Sequence, residues 1–216
     1  MPYQNRVTPF GEIIATPARG TLTGNRGCLH DRQQQIRRPY KTIRWIICLL
    51  EFKGMRRRIM TPGLWTELFF LDEATALAAG HRPCAYCQRD RFTLFRALWT
   101  RANPELAGQG LPSAPQIDAI LHRERMTATG EKVTYAEQIG HLPTGAFVTK
   151  GVGEPAYVVV NGVLWRWQPE GYTSPCTWPA ETVVQVLTPR SVLKTLRQGY
   201  PVGLHPSAQQ YYELTK

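Results

Sequence analysis

The residues best equipped for chemistry are two cysteines at C-x-x-C spacing, Cys84 and Cys87, inside the run FFLDEATALAAGHRPCAYCQRD at residues 69–90. One tight turn can aim both thiols at a single ion, which is why this spacing recurs in structural zinc sites. Two ligands make half of a tetrahedral site, so the rest must come from elsewhere in the chain. By residue type the candidates are Cys48 and Cys28, with His30 and His81 as substitutes for either. Each has a plainer reading beside the ligand reading. Cys48 lies in the apolar run IICLL and suits a core, and Cys28 ends a glycine-containing stretch where a buried thiol also fits. Cys176, in TSPCTWP, is far from the others in sequence and reads as unrelated to them.

The elements that must position these thiols are read from patterning. Asp72 is an N-cap, residues 73–79 are rich in good helix formers, Gly80 is the stop, and Pro83 forbids continuation. Upstream, residues 17–31 hold three glycines and an asparagine and read as a loop or a series of tight turns. Residues 42–60 read as a β-hairpin turning at Lys53-Gly54, with the apolar run 46–50 implying a strand covered on both faces. Residues 89–101 space Phe92, Phe95 and Trp99 as one helix face.

Beyond a Pro/Gly/Ser-rich connection at 102–115, residues 115–126 read as a helix and the last third as β-rich. Asn161-Gly162 marks a hairpin, ETVVQVL a strand, and LTPRSVLKTLRQGY a helix with Thr188 as N-cap, Pro189 at its first position and Gly199 past its end. Trp165, Trp167 and Tyr172 read as core ahead of an aromatic binding platform. The expected class is α+β: a zinc-knuckle region with a β-hairpin and short helices over 1–104, then a β-rich region with a C-terminal helix over 112–216, the two able to pack as one domain.

Charge points to a partner. The formal net charge is +10, and residues 1–100 hold 16 Lys and Arg against 7 Asp and Glu, whereas residues 101–216 hold 10 against 9. A basic excess concentrated in the half that carries the cysteines is the electrostatic footprint of a polyanion binder, with a solubilising face as the plainer reading. The candidate phosphate-tracking residues are Lys53, Arg56, Arg57 and Arg58 at the hairpin tip, with Arg37, Arg38 and Arg89. No apolar stretch approaches a membrane span and the first residues lack a signal-peptide core, so a cytoplasmic location and no membrane partner are expected. The H-x-E string at His122 and Glu124 follows Pro83-Cys84-x-x-Cys87, the reverse of the zinc-deaminase order, which argues against that chemistry.

The run at 69–90 resembles the metal-binding domain of Ada-type DNA methyl phosphotriester repair proteins. There an aromatic strand end, an alanine-rich helix, a glycine, an aromatic residue and Arg-Pro-Cys-x-x-Cys follow in this order. The matching positions are Phe69, Phe70, Ala74, Ala78, Ala79, Gly80, Arg82, Pro83, Cys84 and Cys87, over about a tenth of the chain. The resemblance implies bound zinc. In that family two further cysteines lie upstream, four apart, and one is both ligand and methyl acceptor; here the upstream cysteines are Cys28 and Cys48, far apart in sequence. Three functions follow: a zinc-binding protein that engages nucleic acid, DNA ahead of RNA, with zinc in a structural role; a repair or nucleic-acid-processing enzyme using a zinc-bound thiolate; or a non-catalytic scaffold binding a protein or small molecule.

Overall fold

A computed structural model of the chain describes residues 1–54 and 58–208. It is an α+β fold of two six-stranded sheets and five helices among the described residues. The first sheet is built from β1 (Gln4–Val7), β2 (Ile13–Ala15), β3 (Leu22–Asn25), β4 (Ile46–Cys48), β5 (Leu68–Phe70) and β6 (Arg82–Pro83), in the order β2-β1-β5-β3-β4-β6. The helices are α1 (Glu73–Ala78), α2 (Arg89–Ala102), α3 (Pro104–Ala107), α4 (Ala114–Arg125) and α5 (Arg190–Arg197). The second sheet comprises β7 (Tyr135–Gln138), β8 (Phe147–Thr149), β9 (Tyr157–Val160), β10 (Val163–Gln168), β11 (Gly171–Cys176) and β12 (Val183–Val186), in the order β11-β10-β9-β8-β12-β7. The Asn161-Gly162 turn has positive φ at both residues, as a two-residue hairpin between β9 and β10 requires.

The first sheet departs from expectation in two places. The stretch expected to be loop contains β3, which lies at the centre of the sheet between β5 and β4. Its glycines are there for space as well as turning. A Cβ on Gly24 would lie 2.1 Å from the Ile46 carbonyl oxygen, and one on Gly20 would lie 2.4 Å from that of Phe70, so any side chain would force the neighbouring backbone away. The expected hairpin is also replaced. β4 pairs with β3 on one edge and, in parallel, with β6 on the other, so neither edge is free for a return strand, and residues 49–54 leave as turns. Nor is the apolar run covered on both faces: Ile47 is fully buried, but Leu49 and Leu50 are exposed. At the last helix Thr188 is not the cap; Pro189 takes that place and the Thr188 hydroxyl instead accepts from the Phe147 N–H at 2.9 Å.

All of α1 is buried, and its small residues let both sheets close on it. Ala76, Leu77 and Ala79 pack with Ile47, Leu68 and Phe70 of the first sheet and with Phe95, Trp99, Ile117 and Val192 of the helices. Ala74 and Ala78 pack with Phe147, Val158, Trp165 and Tyr172 of the second. The helix start is satisfied twice over. Asp72 accepts from the Thr75 N–H and hydroxyl through one oxygen and from the Tyr172 hydroxyl (2.6 Å) and the His205 N–H (2.9 Å) through the other. Beside it Glu73 accepts from the Tyr200 hydroxyl (2.6 Å), the Gly203 N–H (2.8 Å) and Arg91. Enlarging Ala78 must therefore separate the sheets. Ala78→Leu is expected to lower unfolding free energy by about 1–3 kcal/mol, while Leu94→Ala on the exposed face of α2 changes it by under ~0.5 kcal/mol, read by urea denaturation.

Candidate metal centre

Two stretches of chain converge at the end of β4. Cys48 is its last residue, and the turn bearing Cys84 and Cys87 runs from β6 into α2. The sulfurs of Cys48, Cys84 and Cys87 all lie within 4.8 Å of one another, close enough for one ion to hold all three. Thiolates on a tetrahedral zinc at about 2.3 Å sit roughly 3.8 Å apart, so only a small contraction is needed. The turn is pinned before any ion arrives. The Cys84 N–H donates to the Ile47 carbonyl (2.9 Å), the Gln88 side-chain amide donates to the same oxygen (2.9 Å), and the Tyr86 N–H points at the Cys84 sulfur (3.4 Å). Arg82 anchors the turn to α4 from behind: Nε and Nη2 donate to the two oxygens of Asp118 at 2.9 and 2.8 Å, with both side chains buried. Asp118 carried no signal beyond its place on a helix.

The three thiols share protons unequally. A hydrogen bond with Cys48 pulls the Cys84 thiol down to about 5, and the Cys87 and Tyr86 N–H groups add to this against the effect of burial. The bond that favours the Cys84 thiolate keeps the proton on Cys48, whose ionisation is pushed up first by Cys84 and then by burial. Burial raises Cys87 as well. Three negative sulfurs this close repel, and a divalent cation removes that repulsion.

The other expected ligands are elsewhere. The Cys28 sulfur lies 3.7 Å from the His30 carbonyl oxygen and does not join the cluster. His30 is held by the Thr66 hydroxyl (2.6 Å) and the Thr61 carbonyl (3.2 Å), and His81 lies in the core, where its Nε2 accepts from Arg26 at 3.2 Å. Cys176 sits on the second sheet. Among the described residues, no fourth Cys, His, Asp or Glu completes the group.

All three cysteines line a groove of about 1100 Å³. Its floor follows from strand alternation. Thr23 pairs with both Cys48 and Phe69, and Gly24 with both Ile47 and Leu68. Directly paired residues share a face, so the Ile47 set goes to the core and the Cys48 set faces outward. Thr23, Asn25, Ile46, Glu67 and Phe69 form the floor, and Leu49, Leu50, Phe52, Ile59 and Trp65 form a wall. The single sequence signal for this groove was the alternation Glu67/Phe69 against Leu68/Phe70.

Of the expected basic residues, Lys53 lies beside the groove with its ammonium 5.4 Å from the Phe52 and Tyr86 rings. Arg58 and Arg89 are exposed, Arg38 is exposed, and Arg37 pairs with Asp31 at 2.6 Å. Arg56 and Arg57 lie outside the described residues. Arg44, not among the expected set, lines the groove.

With the Cys48 hydrogen bond holding the Cys84 thiol down to about 5 and the thiols of Cys48 and Cys87 pushed up, binding of a divalent metal is expected to release about two protons at pH 7, and nearer three below pH 5. Calorimetry in buffers of different ionisation enthalpy reads this directly. Cys48→Ser should weaken metal binding by more than the about 10–100-fold typical of losing an outer supporting group, while Cys28→Ser leaves affinity unchanged. Compared with family models, curated proteins and solved structures, the chain matches none, so the chemistry of this centre is read from its three thiols and the groove beside them.

Proposed function

We propose that the chain is a zinc-binding protein that engages nucleic acid, DNA in preference to RNA, along the groove. The observation that carries this reading is the meeting of three cysteine sulfurs in the lining of a groove whose sides combine aromatic rings with cations. Three thiolates are a soft donor set suited to zinc. The resemblance of residues 69–90 to the Ada-type domain supports the same metal. Bound zinc would tie the end of β4 to the turn before α2, a structural role, held by Cys48, Cys84 and Cys87 in the lining of the groove.

The groove suits unpaired bases better than a duplex. Tyr86 is 63 % exposed, meets Phe52 edge to face at 5.1 Å, and has the Lys53 ammonium beside both rings. Aromatic faces with adjacent cations are how single strands are held, bases on rings and phosphates on Lys and Arg. Arg44 within the groove and exposed Arg58 and Arg89 supply further cations. Fluorescence anisotropy with a labelled single-stranded DNA tests this. Affinity should fall as salt rises, with a log–log slope of about −0.7 for each phosphate neutralised. Tyr86→Ala should cost about 1–3 kcal/mol. An affinity indifferent to salt would count against the reading.

One observation favours a second reading, repair by methyl transfer: the Cys48 sulfur lines the groove and is accessible from it. A zinc-bound Cys48 thiolate would attack the methyl carbon of a phosphotriester, forming the S–C bond as the C–O bond breaks and releasing the phosphodiester anion. The four-apart pair of that family is absent around Cys48, where Arg44 and Phe52 stand four residues away on either side. Intact mass after incubation with methyl phosphotriester DNA decides it: one added methyl group supports transfer, and an unmodified protein rules it out.

A further inference from the structure

On the opposite side of the first sheet from the metal centre, we infer a second binding site, for a phosphate group: a cavity of about 350 Å³ in which Arg26, Arg125 and Lys132 converge around Trp45. It rests on observations independent of the groove and of zinc.

The two guanidiniums are buried, Lys132 is half-buried, and among the described residues none of the three donates to a carboxylate. Arg26 and Arg125 are each 1 % exposed, and their guanidinium carbons lie 3.7 and 3.8 Å from the Trp45 ring centre. Every hydrogen-bond acceptor they have is neutral. Arg26 donates from Nε to His81 and from Nη1 to the Gly11 carbonyl (2.8 Å), and its Nη2 has no partner. Arg125 donates from Nη1 to the Gly80 carbonyl (2.8 Å) and from Nη2 to the Ile43 carbonyl (2.7 Å) and the His122 Nδ1 (3.1 Å), and its Nε has no partner. Lys132 donates to the Ala78 carbonyl at 2.5 Å.

The nearby carboxylates are engaged elsewhere or exposed. Asp118 gives both oxygens to Arg82, and Glu131, an exposed residue of the cavity lining, accepts from the Thr129 hydroxyl at 3.2 Å. Glu12, also in the lining, is exposed. Burial, reinforced by mutual repulsion among the cations, pulls Lys132 down to about 7, and burial pulls Arg125 down to about 9. A chain that gathers two buried guanidiniums and a half-buried ammonium around one cavity, with free N–H groups left over, is arranged for an anion.

The class of anion follows from count and shape. Three cations outnumber the single charge of a carboxylate and suit a dianion, and guanidinium N–H groups match phosphate oxygens. The unpaired Arg26 Nη2 approaches the space over Gly11, where a Cβ would lie 3.9 Å from it. Arg125 can cross Gly80 only because that residue has no side chain, since a Cβ there would lie 2.5 Å from the Arg125 Cδ. The cavity also touches Phe10, Pro39 and Met126, apolar surface that a bare phosphate would leave unused and the organic body of a phosphomonoester would cover.

Calorimetric titration of the full chain with inorganic phosphate, phenyl phosphate and benzoate, at constant ionic strength, tests the site. Saturable one-to-one binding of both phosphates is expected, tighter by at least about tenfold for phenyl phosphate if the apolar wall is occupied and equal if only the phosphate group is held. Lys132→Met, checked for an unchanged near-ultraviolet spectrum and zinc content, should weaken both by about tenfold or more. Three results would overturn the inference: no saturable binding up to about 10 mM, benzoate binding as tightly as phenyl phosphate, or an affinity unaltered in Lys132→Met. Groove variants such as Tyr86→Ala should leave phosphate binding unchanged, so failure of the nucleic-acid reading and failure of this one are separable.

Discussion

The pleat of β4 is the constraint on which both sites depend. Ile47 is wholly buried in the core, and on a strand its neighbours must then point the other way. Ile46 and Cys48 consequently face the groove, and Cys48 arrives beside the Cys84–Cys87 turn. Trp45, two residues before Ile47, shares the core side and forms the ring against which Arg26 and Arg125 lie. A shift of one residue in the pairing with β3 would bury Cys48 and expose Ile47 together. Gly24, opposite Ile47, holds that register by allowing the two backbones to approach.

Around this strand the fold separates tasks. The buried α1, capped by Asp72 and held by Glu73 to Tyr200, Gly203 and Arg91, joins the cores of the two sheets. The second sheet contributes packing to this frame and none of the three clustered thiols. The knuckle is held by backbone bonds to Ile47 and by the Arg82–Asp118 pair, so its thiols are brought together by elements that need no metal. A metal arriving at such a site meets a largely formed donor set and spends little of its binding energy on ordering the chain.

Local punctuation in the sequence was reliable where geometry is local. Asp72, Gly80, the helical face of Phe92, Phe95 and Trp99, and the Asn161-Gly162 turn each mark an element found in the structure, because caps, periodicity and two-residue turns are decided within a few residues. β3 was hidden for the opposite reason. Its Gly and Asn look like turn residues, but Gly24 answers to the approach of Ile46, a partner 22 positions away. Cys48 could be named as a ligand from type alone but not chosen over Cys28, since the choice depends on which strand pairs with which. Arg125 gave no warning, being an ordinary basic residue until tertiary packing encloses it beside Trp45.

The central claim is that three protein sulfurs, and only three, hold zinc beside the groove. X-ray absorption at the zinc edge of protein purified without chelators or metal-affinity steps tests it most directly, because scattering distinguishes sulfur from lighter neighbours. The account predicts three sulfurs at about 2.3 Å and one oxygen or nitrogen at about 2.0 Å. Four sulfurs would contradict it, since a further cysteine would then be a ligand, and two would mean that Cys48 is not a ligand.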